Sequence, residues 1–110
     1  MALKEKTVKF EGIPVQCYEG GKGYPILVMH GSGPGASSAG NFGLVLGPLS
    51  RRYHVLAYDM VGFGRSGRKT REPYFDIAQW RRQAQFFLDR LSKKGPVGVI
   101  GHSLSGSVGL

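Results

Sequence analysis

Hydrophobic and polar positions alternate at the start of the chain. Val8, Phe10, Ile13, Val15 and Cys17 form the apolar set of two short runs, Thr7 to Phe10 and Ile13 to Glu19, with Glu11-Gly12 between them. A period of two broken by a two-residue turn predicts a β-hairpin, and Pro14, which has no N–H to give, predicts a strand near a sheet edge. After glycines 20, 21 and 23 the pattern changes. Tyr24-Pro25-Ile26-Leu27-Val28-Met29 is continuously apolar, as in a strand buried on both faces of a parallel sheet, and Tyr53 to Tyr58 and Val97 to Ile100 have the same character. Between these runs the period becomes helical. From Asn41 to Arg52, Phe42, Val45, Leu46 and Leu49 fall on one helix face, with Pro48 expected to kink or end the helix. Ile77, Trp80, Ala84, Phe87, Leu88 and Leu91 stripe a second helix, opened by Asp76 and Gln79 in capping-box spacing and closed by Lys93-Lys94-Gly95-Pro96. Trp80 reads as a core residue.

The order is hairpin, strand, loop, helix, strand, loop, helix, strand. That is an α/β pattern with a parallel sheet and crossover helices, in which ligands gather at the carboxyl ends of the strands. Three unusual stretches follow those ends. In Ile100-Gly101-His102-Ser103-Leu104-Ser105-Gly106, small residues stand two before and two after Ser103. A serine on a sharp strand-to-helix turn is backbone-strained and needs small neighbours, so Ser103 is the candidate nucleophile, in the form G-x-S-x-S. The second stretch, His30 to Phe42, is rich in glycine, which lets backbone N–H groups meet an anion. A phosphate cradle would carry G-x-x-x-x-G-K-[ST] or G-x-G-x-x-G, and neither is present. An oxyanion hole fits better, its donors being the N–H groups of Leu104 and Ser32, each stabilising a tetrahedral oxyanion by roughly 3 kcal/mol. A flexible connector is the plain alternative. The third stretch begins at Asp59. It reads as a structural carboxylate accepting loop N–H bonds, because it precedes the serine, against the order nucleophile, acid, histidine.

Composition narrows the partners. With 110 residues and 41% hydrophobic content the chain reads as one globular domain. The net charge of +8 comes from 15 basic and 7 acidic residues, and the basic ones are scattered without aromatic interleaving, so they read as solvated faces and not as a nucleic-acid surface. A single cysteine, Cys17, excludes an internal disulfide, reads as core and fits a reducing, cytoplasmic compartment. No apolar stretch has the length of a membrane span, and no metal-ligand cluster stands out. Leu110 falls inside the helix that should follow the elbow, so residues 1–110 are expected to be the amino-terminal part of a longer single domain.

Across essentially all 110 residues the chain resembles the amino-terminal portion of an α/β-hydrolase fold. Within that superfamily, His30-Gly31-Ser32-Gly33-Pro34-Gly35-Ala36 followed by Asn41-Phe42 is similar to the meta-cleavage product hydrolases, which cleave a carbon–carbon bond in vinylogous 1,5-diketones made by ring-opening dioxygenases. The resemblance implies a small-molecule substrate and no cofactor. It implies Ser103 as nucleophile, Ser32 and Leu104 at the oxyanion, and Gly33 and Asn41 in the loop that holds the substrate's dienoate end. His102, counted with the substrate-binding residues, is a departure: these enzymes usually have asparagine before the nucleophile, whereas histidine is widespread among general esterases, so ester hydrolysis stands as the alternative. None of His30, His54 and His102 suits the general base. The resemblance implies that acid and histidine lie beyond the elbow with the cap, and that this segment alone turns over little or nothing. A competing class is a non-catalytic hydrolase-like module that binds through an exposed sheet edge. Homo-oligomerisation is left open.

Overall fold

A computed structural model describes residues 3–30, 37–68 and 76–101, apart from the side chains of Asn41 and Lys94. Lys4–Phe10 (β1), charged through Lys4-Glu5-Lys6 and apolar at Val8 and Phe10, pairs antiparallel with Ile13–Gly20 (β2). The turn between them has Glu11 at φ +49° and Gly12 at φ +76°, the two left-handed residues a tight hairpin turn requires. Glutamate is unusual there. It is held by Arg82, whose Nε and Nη2 lie 2.7 and 3.1 Å from its two carboxylate oxygens, and this guanidinium keeps the Glu11 carboxyl below the ordinary carboxylate range.

The apolar runs form Pro25–Met29 (β3), His54–Tyr58 (β4) and Gly98–Gly101 (β5); Ser38–Ser50 (α1) joins β3 to β4, and Ile77–Leu91 (α2) precedes β5. The sheet order is β1-β2-β4-β3-β5, with β2 antiparallel to β4, and β3 parallel to both β4 and β5. Continuous hydrophobicity is explained by the two covered faces. Leu27, Met29, Leu56 and Tyr58 point to one side, where Trp80, Ala84, Phe87 and Leu91 of α2 meet them; Val28, Val55 and Ala57 point to the other, against Leu46 of α1. Tyr58 stacks on Phe87 with ring centroids 4.4 Å apart. Cys17 is buried, and burial pushes its thiol up to about 12.

Three expectations need correction, and the placing of Pro14 near an edge is met locally. The strand carrying Pro14 is interior to the sheet, but β4 pairs only with Cys17 to Gly20, so Pro14 lies where β2 is locally an edge; the N–H of Gly67 caps its carbonyl at 2.7 Å. Helix α1 runs through Pro48 to Ser50, because a proline in the last turn removes only one bond of the ladder. Val45 was expected on the buried face of α1 but is 44% exposed beside Leu44, while Leu46 supplies the contact with the sheet. The capping box of α2 is half formed: Asp76 accepts the Gln79 N–H at 3.0 Å, whereas the Gln79 side chain turns to Glu11 at 3.4 Å.

At the amino end of β4, Glu19 joins Lys6 and, at 2.6 Å, His54 Nε2. Burial alone would raise the Glu19 pKa, but hydrogen bonds from Lys6 and His54 outweigh it and hold the carboxyl below its ordinary 4.5. A depressed carboxylate pKa contributes stability that is present above pH 4.5 and lost as pH falls through the folded value. Glu19→Gln is therefore expected to flatten the decline in stability below that pH. Urea midpoints at pH 3.5 to 6.5 check this, and an unchanged slope would remove Glu19 from the acid response.

Candidate functional site

The register of the three parallel strands brings their exits together. Met29 pairs with Tyr58 on one side and with Gly101 on the other, so His30, Asp59 and residue 102 each follow the last paired residue of three neighbouring strands. Ser103 comes two residues after Gly101 in sequence, and Ser32 three after Met29. His102, Ser103, Leu104, Ser32 and Gly33 lie outside the described residues. Asn41 lies in the first turns of α1, and its side chain is not described. The described part of the site is thus the floor of the strand exits.

That floor is a buried polar network centred on Asp59, which is 1% exposed. Its Oδ1 accepts the Ser38 N–H at 2.8 Å and its Oδ2 the Arg65 N–H at 3.0 Å. A carboxylate taken out of water needs such partners, and one placed at the first turn of α1 also complements the helix dipole. The reading of Asp59 as structural agrees with these bonds: both oxygens are engaged within the chain. Gly64, at φ +51°, lies so close that a Cβ there would sit 2.3 Å from Oδ2. The carbonyl of Asp59 accepts the Ser66 hydroxyl at 2.5 Å and the Gln83 amide at 3.4 Å, while Gln83 Oε1 accepts the Val61 N–H at 3.1 Å.

His30 is fully buried, and its Nε2 accepts the Met60 N–H at 2.9 Å. A ring nitrogen that accepts a backbone N–H carries no proton, so this nitrogen is committed and is not available as a general base. The ring rests near Phe63, at 5.3 Å between centroids, and Phe63 in turn near Trp80 at 5.8 Å. Trp80 is core, as expected, and its Nε1 donates to Val61 O at 3.1 Å. His54, paired with Glu19, stands at the opposite end of β4. Among the described residues no group of three or more His, Cys, Asp or Glu is placed to hold a metal ion, and no helix is long and apolar enough to cross a membrane.

The sequence reading missed Ser38, Ser66 and Gln83. Gln83 had a signal: it falls between Trp80 and Phe87 on the apolar stripe of α2, where an amide is buried only if its hydrogen bonds are met. Ser38 and Ser66 had none beyond their small size.

Residues 24–110 match the family described as "alpha/beta hydrolase fold". The chain belongs to the α/β-hydrolase family. This α/β-hydrolase chain is 38% identical, over 99% of its length, to 2-hydroxy-6-oxo-6-(2'-aminophenyl)hexa-2,4-dienoic acid hydrolase of Metapseudomonas resinovorans, and covers 37% of that protein. It is 34% identical, over 90% of its length, to 2-hydroxymuconate semialdehyde hydrolase of Pseudomonas sp. (strain CF600), covering 34% of it. Among solved structures it is similar to a serine hydrolase involved in carbazole degradation, with a TM-score of 0.85 and 34% identity over 98% of this chain and 41% of that one. The α/β-hydrolase chain thus spans little more than a third of the curated relatives it matches.

Proposed function

We propose that the protein to which these residues belong is a serine-dependent hydrolase of 2-hydroxy-6-oxo-dienoate ring-fission products, and that residues 1–110 are the amino-terminal part of its single hydrolase domain. The observation that carries this reading is the 38% identity, along nearly the whole chain, to a hydrolase of such a dienoic acid. On this reading the Ser103 hydroxyl oxygen adds to the ketone carbon of the substrate, and its proton passes to a histidine, other than His102, that belongs to the part of the hydrolase domain beyond the elbow. The N–H groups of Ser32 and Leu104 hold the oxygen that becomes negative. When the tetrahedral intermediate formed on the vinylogous 1,5-diketone form collapses, the carbon–carbon bond breaks and its electron pair enters the conjugated 2-oxo system as a dienolate, which takes up a proton. Water then releases the acyl group from Ser103. Gly33 and Asn41 are assigned to the loop that holds the dienoate end, and His102 is counted with the substrate-binding residues. No cofactor enters any of these steps. A cytoplasmic location accords with the single buried Cys17, and nucleic acid and membrane play no part as partners.

Ester hydrolysis is the second reading, favoured by His102 at the position before Ser103. Assaying the natural protein at its full length against a ring-fission dienoate and an aryl ester separates the two. The carbon–carbon reading expects the dienoate to be preferred in kcat/KM by at least about a hundredfold, about 3 kcal/mol of differential transition-state binding. An ester preference would transfer the assignment. A natural protein of about 11.9 kDa that takes no fluorophosphonate at Ser103 and turns over neither substrate would point to the binding-module class.

A further inference from the structure

We propose that the amino ends of β3, β4 and β5 form a cationic docking face for an acidic segment of a partner protein. This face lies at the end of the sheet away from the strand exits, so it stands apart from the hydrolase reading. Its parts are distant in sequence and the strand register gathers them. Pro25 pairs with His54 and Ile26 with Gly98, so the link before β3, the turn before β4 and the approach to β5 arrive side by side. Packing there is close: a Cβ at Gly21 would lie 2.0 Å from Tyr53 O, and one at Gly23 would lie 3.3 Å from Arg52 O. The Tyr24 ring reaches β5, with its Cε1 3.3 Å from where a Cβ on Gly98 would stand. The short 3-10 helix Ser92–Lys94 follows α2 and brings Lys93 to the same end. Lys22, Arg51, Arg52 and Lys93, scattered along the chain, thus share one face with Tyr24 and Tyr53.

The charge of this face is not balanced among the described residues. Glu19 is taken by Lys6 and His54, and Asp89 by the Gln85 amide at 2.7 Å. Lys22, Arg51, Arg52 and Lys93 are exposed, and among the described residues none of them makes an ion pair. The carboxyl ends of α1 and α2 offset part of the charge, but each helix end supplies only about half a negative charge. A merely solvated face has no use for aromatic rings, yet Tyr24 is 52% and Tyr53 36% exposed amid these cations. Tyrosine combines a large apolar contact with a polar tip and is enriched at protein interfaces. An acidic protein segment answers both features: its carboxylates pair with the guanidinium and ammonium groups, and its apolar side chains cover the rings. Single-stranded nucleic acid follows a continuous cationic groove, whereas these cations come from three separate turns. A membrane surface is met by an amphipathic helix with large apolar residues on one side, and no such helix builds this face.

The test uses the natural full-length protein and a fluorescein-labelled peptide of about twenty residues, rich in Glu and Asp with interspersed Leu, followed by fluorescence anisotropy. Binding with a Kd on the order of 10 µM is expected at about 50 mM salt, weakening at least about tenfold by about 300 mM. Arg51→Gln together with Arg52→Gln removes two charges from the face without adding repulsion, and is expected to weaken binding at least about fivefold. Lys9→Gln together with Arg81→Gln removes two exposed charges elsewhere, and is expected to change it less than about twofold. Tyr24→Ala is expected to lose about three- to tenfold with the salt dependence kept. Circular dichroism spectra matching the wild type show that each variant is folded. No binding at low salt overturns the proposal, and so does an equal loss in the two paired variants, which would mean that net charge alone attracts the peptide. Tighter binding of a DNA duplex or of phosphatidylserine vesicles than of the peptide also overturns it, in favour of that partner class. None of these readouts uses turnover, so failure here leaves the hydrolase reading where it stands.

Discussion

Ser103→Ala in the natural full-length protein is expected to lower kcat for a ring-fission dienoate by on the order of 10⁴-fold or more, with substrate binding largely kept. The hydroxyl is the one group on the proposed path that bonds to substrate carbon, whereas the dienoate end is held elsewhere. The described residues leave no rival nucleophile at the strand exits. Asp59 has both carboxylate oxygens engaged by backbone N–H groups, and the Cys17 thiol is buried and raised to about 12, far from a reactive thiolate at neutral pH. Steady-state turnover, together with binding of the uncleaved dienoate followed by absorbance, gives the two numbers needed. Undiminished turnover would remove Ser103 as nucleophile. A parallel loss of binding and turnover would make it a binding residue only.

The largest expected effect on stability lies at the end of the molecule away from the site. Gly21, at φ +84°, passes so close to the end of α1 that a Cβ there would lie 2.0 Å from Tyr53 O and 2.4 Å from Ser50 O. Both are backbone atoms, so no side chain can rotate away. Gly21→Ala combines a left-handed backbone, costing about 1–2 kcal/mol for an L residue, with a clash that separates the β2–β3 link from the α1–β4 junction. A total loss of about 3 kcal/mol or more is expected, among the large single-substitution effects. Gly62→Ala is the matched comparison. Its φ is +89°, with nothing within 4 Å of the added carbon, so it should show the backbone part alone. Urea unfolding of both variants checks this, and equal losses would mean that the link moves aside freely.

The fold was legible because most of it is written in local period. Leu27 and Met29 against Val28, and Leu56 and Tyr58 against Val55 and Ala57, divide between two covered faces, and only a continuously apolar run can serve both. What the sequence could not disclose depends on partners far along the chain. Pro14 suggested a strand near an edge, but how much of β2 has a neighbour is decided by β4, about forty residues later, and by how far that strand extends. Val45 and Leu46 both fit the apolar stripe of α1, and the way the helix is rolled on the sheet chose Leu46. At the site, Asp59 could be read as structural from its position alone, and His30 could be set aside as the general base. Their hydrogen-bond partners could not be read, because the bonds run to backbone N–H groups, which every residue but proline carries and which leave no mark in side-chain chemistry.

The strand order has a consequence for how this chain reaches its native state. β2 and β3 are consecutive and separated only by the short link 21–24, yet they are not neighbours: β4 lies between them. A link of that length could equally close β2 and β3 into a hairpin, extending the first one into a three-strand meander. That arrangement forms from nearby contacts and would occupy the slot that belongs to β4. The native sheet must instead bring Tyr58 to Cys17 across more than half the part of the chain then folded, which is entropically slower than the local error. This strand order favours a folding route in which β3, α1 and β4 assemble as one unit before β2 is captured. The left-handed glycines of the link, Gly21 and Gly23, permit the bend that carries the chain past the slot β4 fills.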